Sequence, residues 1–175
     1  MADRALCRLG AADYALHADE MAVRLLGKWL CTEKDGVLRR FRITETECYM
    51  GEADTACHAA RGKTPRNAVM YRRGGCAYVY LCYGIHNLFN IVTGEEGFPE
   101  AVLIRGIEGI SGPGRVTKAL GITRDDNGAD LTESSRIYLE DDGERPLFDA
   151  FPRIGIDYAA PEDRARLWRF VVRRE

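Results

Sequence analysis

At 175 residues the chain has the length of one domain, and 46% apolar residues are enough to build a folded core. A formal charge of −2 excludes a uniformly basic nucleic-acid binder, and no run approaches the roughly 20 apolar residues that a membrane-crossing helix needs. Residues 1–10 carry charges and a cysteine but no apolar stretch, so no secretory signal is expected and a bacterial-type cytoplasmic setting is.

The first helix is expected over 18–26, where Met21 pairs with Leu25 and Ala22 with Leu26 at four-residue spacing and Gly27 stands at the C-cap. Trp29, Leu30 and Cys31 read as a short strand. Asp35-Gly36 is a hairpin signal, and 37–49 returns as a second strand. Alternation along that strand places Ile43, Glu45, Glu47 and Tyr49 on one face. Two carboxylates and a tyrosine make a poor core and a plausible site.

Residues 76–92 read as two strands joined by a turn near Tyr83-Gly84, and 101–106 as another strand. A helix entered from Pro113-Gly114 is expected over 116–120, with late strands at 137–140 and 168–173. Many strands, few helices and no β-α-β regularity predict an α+β fold, a single domain over 1–175. No repeat, low-complexity tract or linker interrupts it.

Charge is unevenly placed. Residues 59–73 hold five Lys or Arg and no acid, and 164–175 hold five Arg and one acid. Such a basic face can hold phosphates on a near-neutral protein, or can be a solvated surface. The six cysteines lack C-x-x-C spacing, which favours reduced thiols over a disulfide framework or a zinc ribbon. A zinc site from Cys48, Cys57 and His58 is a weaker idea.

There is no G-x-S-x-G, P-loop, dinucleotide fingerprint or zinc-deaminase pattern. What remains is Glu47 with Tyr49, His58, the Tyr78/Tyr80 pair, Tyr83 and Asn90. Taken singly, each has a bland reading: Glu47 as a solvent-facing strand residue, Tyr80 as a half-buried aromatic, His58 as a structural histidine. Tyr83 fits its bland reading least, because an aromatic at a hairpin tip has little core to enter.

Together these residues carry a resemblance. Glu45-Thr46-Glu47-Cys48-Tyr49-Met50-Gly51, followed by Asp54, Ala56 and His58, resembles a signature block of the alkyladenine (3-methyladenine) DNA glycosylases. Thr64-Pro65-Arg66-Asn67, the string from Tyr78 to Gly84 and on to Asn90, Val102-Leu103-Ile104-Arg105, Ser111-Gly112-Pro113-Gly114 and Trp168-Arg169-Phe170 follow in the family's order. The likeness covers about 24–170. It implies a curved, mainly antiparallel sheet with a protruding hairpin, and a monomeric, monofunctional enzyme without metal or cofactor. Its partner would be double-stranded DNA containing damaged purines, from which it would excise 3-methyladenine or 7-methylguanine, or neutral lesions such as hypoxanthine and ethenoadenine. The alternative is a non-catalytic lesion-binding module of the same fold.

Position by position, the resemblance implies that Glu47 activates water, with Arg105 helping to place it. Tyr49 would stack on one face of the flipped base and Tyr80 with His58 on the other. Backbone groups near Ala56 would join His58 in holding the purine, and Asn90 would screen it at the pocket floor. Tyr83 would intercalate. Arg61, Thr64, Arg66, Asn67, Ile85, Arg115 and Lys118 would contact DNA. Departures fall outside the pocket: a link of only seven residues between Arg105 and Pro113, Arg115 where a lysine is usual, and little sequence after Phe170. They bear on DNA affinity.

Overall fold

The computed structural model describes residues 5–174. Helix α1 (Ala18–Leu25) buries Ala18, Met21, Ala22 and Leu25, the spacing of one helical face. It stops because Gly27 has φ +81° and lies against Pro146, where a Cβ would come within 2.7 Å of Cδ. Strand β2 runs from Trp29 to Lys34 and β3 from Val37 to Met50. Asp35 and Gly36 between them both have positive φ, which matches the right-handed twist of the hairpin.

Strand β3 organises the sheet. Its first half pairs with β2, and its second half lies between β6 (Glu100–Ile107) and β10 (Arg169–Val172). Strands β4 (Ala77–Cys82) and β5 (His86–Thr93) extend the sheet beyond β6. On the other side, β8 (Ile137–Asp141) pairs with β2, and the two-residue β1 (Cys7–Arg8) pairs with β8. Strand β9 (Phe148–Phe151) pairs with β10. All these pairings are antiparallel, and with only three α-helices among the described residues the fold is α+β, as expected.

One apolar cluster packs α1 and α2 (Pro113–Leu120) on one side of the sheet, through residues such as Met21, Leu25, Phe89, Ile104, Val116 and Leu120. A second, smaller cluster contains Met70, Tyr78, Val92 and Ala101, with Tyr49 and Tyr80 half-buried against it. The aromatic residues of interest therefore gather outside the main core. No helix among the described residues is long and apolar enough to cross a membrane.

The face assignment of β3 needs one correction. The β3–β6 register shifts between Ile43 and Glu45 and again between Glu45 and Thr46. Ile43 packs into the main cluster with Cys48, while Glu45, Glu47 and Tyr49 interact away from it. Simple alternation assumes an unbroken ladder, and the irregularity breaks it.

The short link after Arg105 also has a plain cause. Strand β7 (Ile110–Ser111) folds straight back on β6 through a two-residue turn at Glu108-Gly109, with Gly109 at φ +77°. Strands β1, β7 and β9 and helix α3 (Pro161–Ala165) were not anticipated, because two to five residues are too few to show a period.

Candidate active site

A cavity of about 710 Å³ opens where β3–β6, the 54–58 turns, the β4–β5 hairpin, α2 and the 153–158 segment meet. Tyr49, Ala56, His58, Tyr80, Asn90 and Arg105 all line it, so the structure brings together every predicted pocket residue except one. That one is Glu47. It has no exposed surface and sits behind the lining, touching it through three donors.

Glu47 Oε2 accepts a hydrogen bond from the Tyr49 hydroxyl at 2.8 Å, and Oε1 accepts one from the Ile154 backbone N–H at 2.8 Å. Arg105 Nε lies 3.6 Å from Oε1. Tyr49, Ile154 and Arg105 are all cavity residues, so the carboxylate is turned towards the cavity wall. Burial raises its pKa, opposed first by Arg105, then by the Ile154 and Tyr49 hydrogen bonds. A carboxylate in these surroundings is poised to take up a proton.

Glu45, one pleat back, receives Arg105 Nε at 3.4 Å and Arg169 Nη1 at 3.0 Å. Arg105 thus bridges both carboxylates. Gly106 is what lets β6 pass this close, since a Cβ there would fall 2.9 Å from Glu45 Cβ.

The aromatic wall is built by hydrogen bonding and ring contact. His58 Nδ1 and the Tyr78 hydroxyl lie 2.8 Å apart, and the His58 and Tyr80 rings have centroids 4.4 Å apart at 62°. Burial and the nearby Arg66 cation lower the His58 pKa, which keeps the imidazole neutral at pH 7. Burial pushes the Tyr78 phenol up to about 12, so it stays protonated. Asn90, opposite Tyr78 across the β4–β5 ladder, donates Nδ2–H to the Tyr78 carbonyl at 3.2 Å. Both backbone groups of Ala56 have partners: its N–H donates to Asp54 Oδ1 (3.1 Å), and its carbonyl accepts the Tyr158 hydroxyl (2.7 Å).

At the mouth, Tyr83 and Gly84 form the hairpin tip with φ of +51° and +69°, and Tyr83 is 91% exposed. Ile85 beside it is exposed too. Arg66, Arg115 and Lys118 line the same opening, and Lys118 is the one lysine in the lining. The N-terminus of α2 comes close to the hairpin because residue 114 is glycine; a Cβ there would meet His86 Nδ1 at 3.0 Å. Arg61 and Thr64 are exposed on the neighbouring loop but do not line the cavity.

Asn67 departs from the role expected of it. It is buried, its Oδ1 accepts the Thr64 N–H, and its Nδ2 donates to the carbonyls of His58 and Gly62. Asn67 therefore builds the 58–67 loop from inside and offers nothing outward. All six cysteines are free thiols. Cys48 packs in the main core, and among the described residues no group of three or more His, Cys, Asp or Glu side chains could hold a metal.

Sequence reasoning missed the 152–160 segment. It supplies Ile154 to Glu47, Tyr158 to Ala56, and Arg153, whose guanidinium forms a buried ion pair with Asp54. Pro152 and Gly155 mark an irregular stretch there, the only local signal, and it says nothing about tertiary contacts.

Comparison with known proteins adds a separate finding. A family model described as methylpurine-DNA glycosylase matches residues 12–112 and 109–175. A protein of Methanocella arvoryzae is 45% identical over 171 residues, covering 86% of this chain and 85% of the relative. One of Anaeromyxobacter dehalogenans is 45% identical over 175 residues, covering 95% and 84%. One of Psychrobacter cryohalolentis is 46% identical over 169 residues, covering 79% and 80%. All three are named after a 3-methyladenine DNA glycosylase activity.

Proposed function

Since the chain belongs to the methylpurine-DNA glycosylase family, we propose that it flips an alkylated purine out of duplex DNA and hydrolyses its N-glycosidic bond with Glu47 as general base. The observation that carries this reading is a buried carboxylate held against the wall of an aromatic cavity by Tyr49, Ile154 and Arg105.

Extruding a nucleotide costs a few kcal/mol, least for damaged or mispaired bases. Tyr83, exposed at the hairpin tip, fills the gap it leaves. The base enters the cavity between Tyr49 and the Tyr80–His58 pair, and aromatic stacking returns about 1–3 kcal/mol. A 3-methyladenine or 7-methylguanine is cationic, which draws it to the ring faces and makes it a good leaving group. Arg66, Arg115 and Lys118 hold phosphates around the mouth.

As the glycosidic bond lengthens, the sugar acquires oxocarbenium character. Water enters at the Tyr49–Arg105–Ile154 wall, where the 3.6 Å Arg105 contact is the loosest of the three holding Glu47. Glu47 takes a proton from that water, its oxygen bonds to the sugar carbon, and the base departs with the bonding electrons. Neutral purines also need a proton on the departing base, so they react more slowly. The product is an abasic site in bacterial-type chromosomal DNA, and a monomer suffices for the chemistry.

The test is a duplex with a single 1,N6-ethenoadenine or hypoxanthine, incubated with protein and then treated with alkali. Wild type cuts at the lesion; Glu47→Gln loses about 10²–10⁴ in rate while still binding the duplex. If the mutant cleaves normally, Glu47 is not the base. If wild type binds these lesions and also fails to release 7-methylguanine, the molecule is a capture module. Trapping with borohydride should yield no cross-link through Lys118, in keeping with hydrolysis rather than lyase chemistry.

A further inference from the structure

The segment that sequence reasoning passed over contains the most heavily engaged cation in the site. The Arg153 side chain is fully buried. Nη1 donates to Asp54 Oδ2 at 2.6 Å and to the Cys48 carbonyl at 3.0 Å; Nη2 donates to Asp54 Oδ1 at 2.9 Å and to the Asp163 carbonyl at 3.4 Å. Its guanidinium also lies over the rings of Tyr49, at 4.8 Å, and Trp168, at 4.9 Å. The next residue, Ile154, gives its N–H to Glu47.

These contacts converge on both halves of the cavity. Asp54 accepts the N–H groups of Met50 and Ala56, so it sets the turn that carries Ala56 towards His58. Cys48 and Tyr49 belong to the strand that carries Glu47. We propose that Arg153 is a positioning residue for base excision, locking the Glu47–Tyr49 wall and the Asp54–His58 wall into one rigid unit. This rests on the glycosylase reading above.

The chemistry favours arginine here. A buried ion pair adds little net stability, because desolvation offsets the attraction, but a planar fork fixes distance and angle at both ends. Lysine keeps the charge and loses the fork, the second carbonyl and the flat contact with Tyr49. Freed from that lock, residues 153–154 shift, and Ile154 withdraws its hydrogen bond from Glu47. The groups facing Glu47 are then Tyr49 on β3, Arg105 on β6 (shared with Glu45, which also binds Arg169 of β10), and the cation at position 153, whose charge favours ionised Glu47 and is retained by lysine. With one donor fewer for its ionised form, Glu47 holds its proton to higher pH.

Arg153→Lys separates a positioning role from a purely structural one. Single-turnover excision of 7-methylguanine from duplex DNA is followed against pH beside wild type and Glu47→Gln, with thermal unfolding and duplex affinity measured on the same samples. Arg153→Lys should stay folded and bind the duplex within about threefold of wild type, while excision falls about a hundredfold, as misplacement of reacting groups by about 1 Å does. The acid limb of its profile should move up by about one pH unit, the size of one hydrogen bond to a charged group. A folded variant whose limb stays in place, or whose loss is equal at every pH, overturns the proposal. Should Arg153→Lys fail to fold, Asp54→Asn tests the lock by rate alone, because loss of the Asp54 charge itself favours ionised Glu47. Excision falling about as far at unchanged duplex affinity supports the proposal, a wild-type rate overturns it, and collapse of both variants establishes a structural role instead. A silent wild type sinks the glycosylase reading; an active wild type, a dead Glu47→Gln and a normal Arg153→Lys sink only this inference.

Discussion

Changing Tyr83 to asparagine should move stability and activity in opposite directions. Tyr83 occupies the first of two left-handed positions in the hairpin turn, at φ +51°, with Gly84 at +69° in the second. A left-handed conformation costs an ordinary residue about 1 kcal/mol, and Asn-Gly is the pair such turns prefer. Nothing offsets this locally, since the side chain is 91% exposed. Tyr83→Asn should therefore raise Tm by about 1–3 °C, from a gain of under about 1 kcal/mol in a chain of this size. Activity has a separate ledger. Burying about 200 Å² of tyrosine in a DNA gap is worth about 5 kcal/mol at about 25 cal/mol per Å². Opening the stack costs the same in wild type and variant and cancels. Asparagine returns little of the apolar contribution, so duplex excision should fall between about a hundredfold and a few thousandfold. Excision from single-stranded oligonucleotide, where no gap needs filling, should change far less. The assay pairs thermal unfolding by circular dichroism with single-turnover excision on both substrates. A variant that keeps the wild-type duplex rate refutes the wedge, and a variant that loses Tm together with rate refutes the turn argument.

Two other predictions concern pH. The raised pKa of Glu47 means that the folded protein binds its proton more tightly than the unfolded chain does, so stability falls as pH rises from the unfolded value to the folded one. Glu47→Gln should accordingly raise Tm at pH 8, with the gain vanishing below about pH 4, the ordinary glutamate range; equal Tm values at pH 8 would contradict this. His17, paired with Glu100 at 3.1 Å at the start of α1, has its pKa raised chiefly by that hydrogen bond. Its contribution is present in full below about pH 6.5 and is lost as pH rises through the folded value. Being mostly exposed, the pair should contribute little, so His17→Ala should cost a small amount of Tm at pH 5.5 and nothing at pH 9. A loss that is the same at both pH values would rule the pair out.

Local chemistry made much of the architecture legible in the chain. Asp35-Gly36 and Tyr83-Gly84 announce hairpins because few residue pairs tolerate two left-handed positions in succession. Ala18 to Leu25 shows its buried face through spacing alone. The ordered motifs from Glu45 to Arg105 name residues that the fold gathers in or behind the wall of one cavity. Periodicity failed where the ladder itself is irregular, as at Ile43, and where elements are two to five residues long, as in β1, β7, β9 and α3. The composition of the 58–67 loop could not distinguish a DNA contact from an internal brace, and Asn67 proved to be the brace.

The amino-acid order by itself determined which residue types were available for chemistry and which strand would carry the carboxylate, because turn and strand preferences act between neighbours. Only the tertiary structure decided what that carboxylate meets. Its partners lie 58 positions away at Arg105 and 107 positions away at Ile154, and the ion pair behind them joins positions 54 and 153. Burial and low local dielectric are properties of the assembled fold, and they convert an ordinary glutamate into a group with a shifted proton affinity. No window along the chain contains that information.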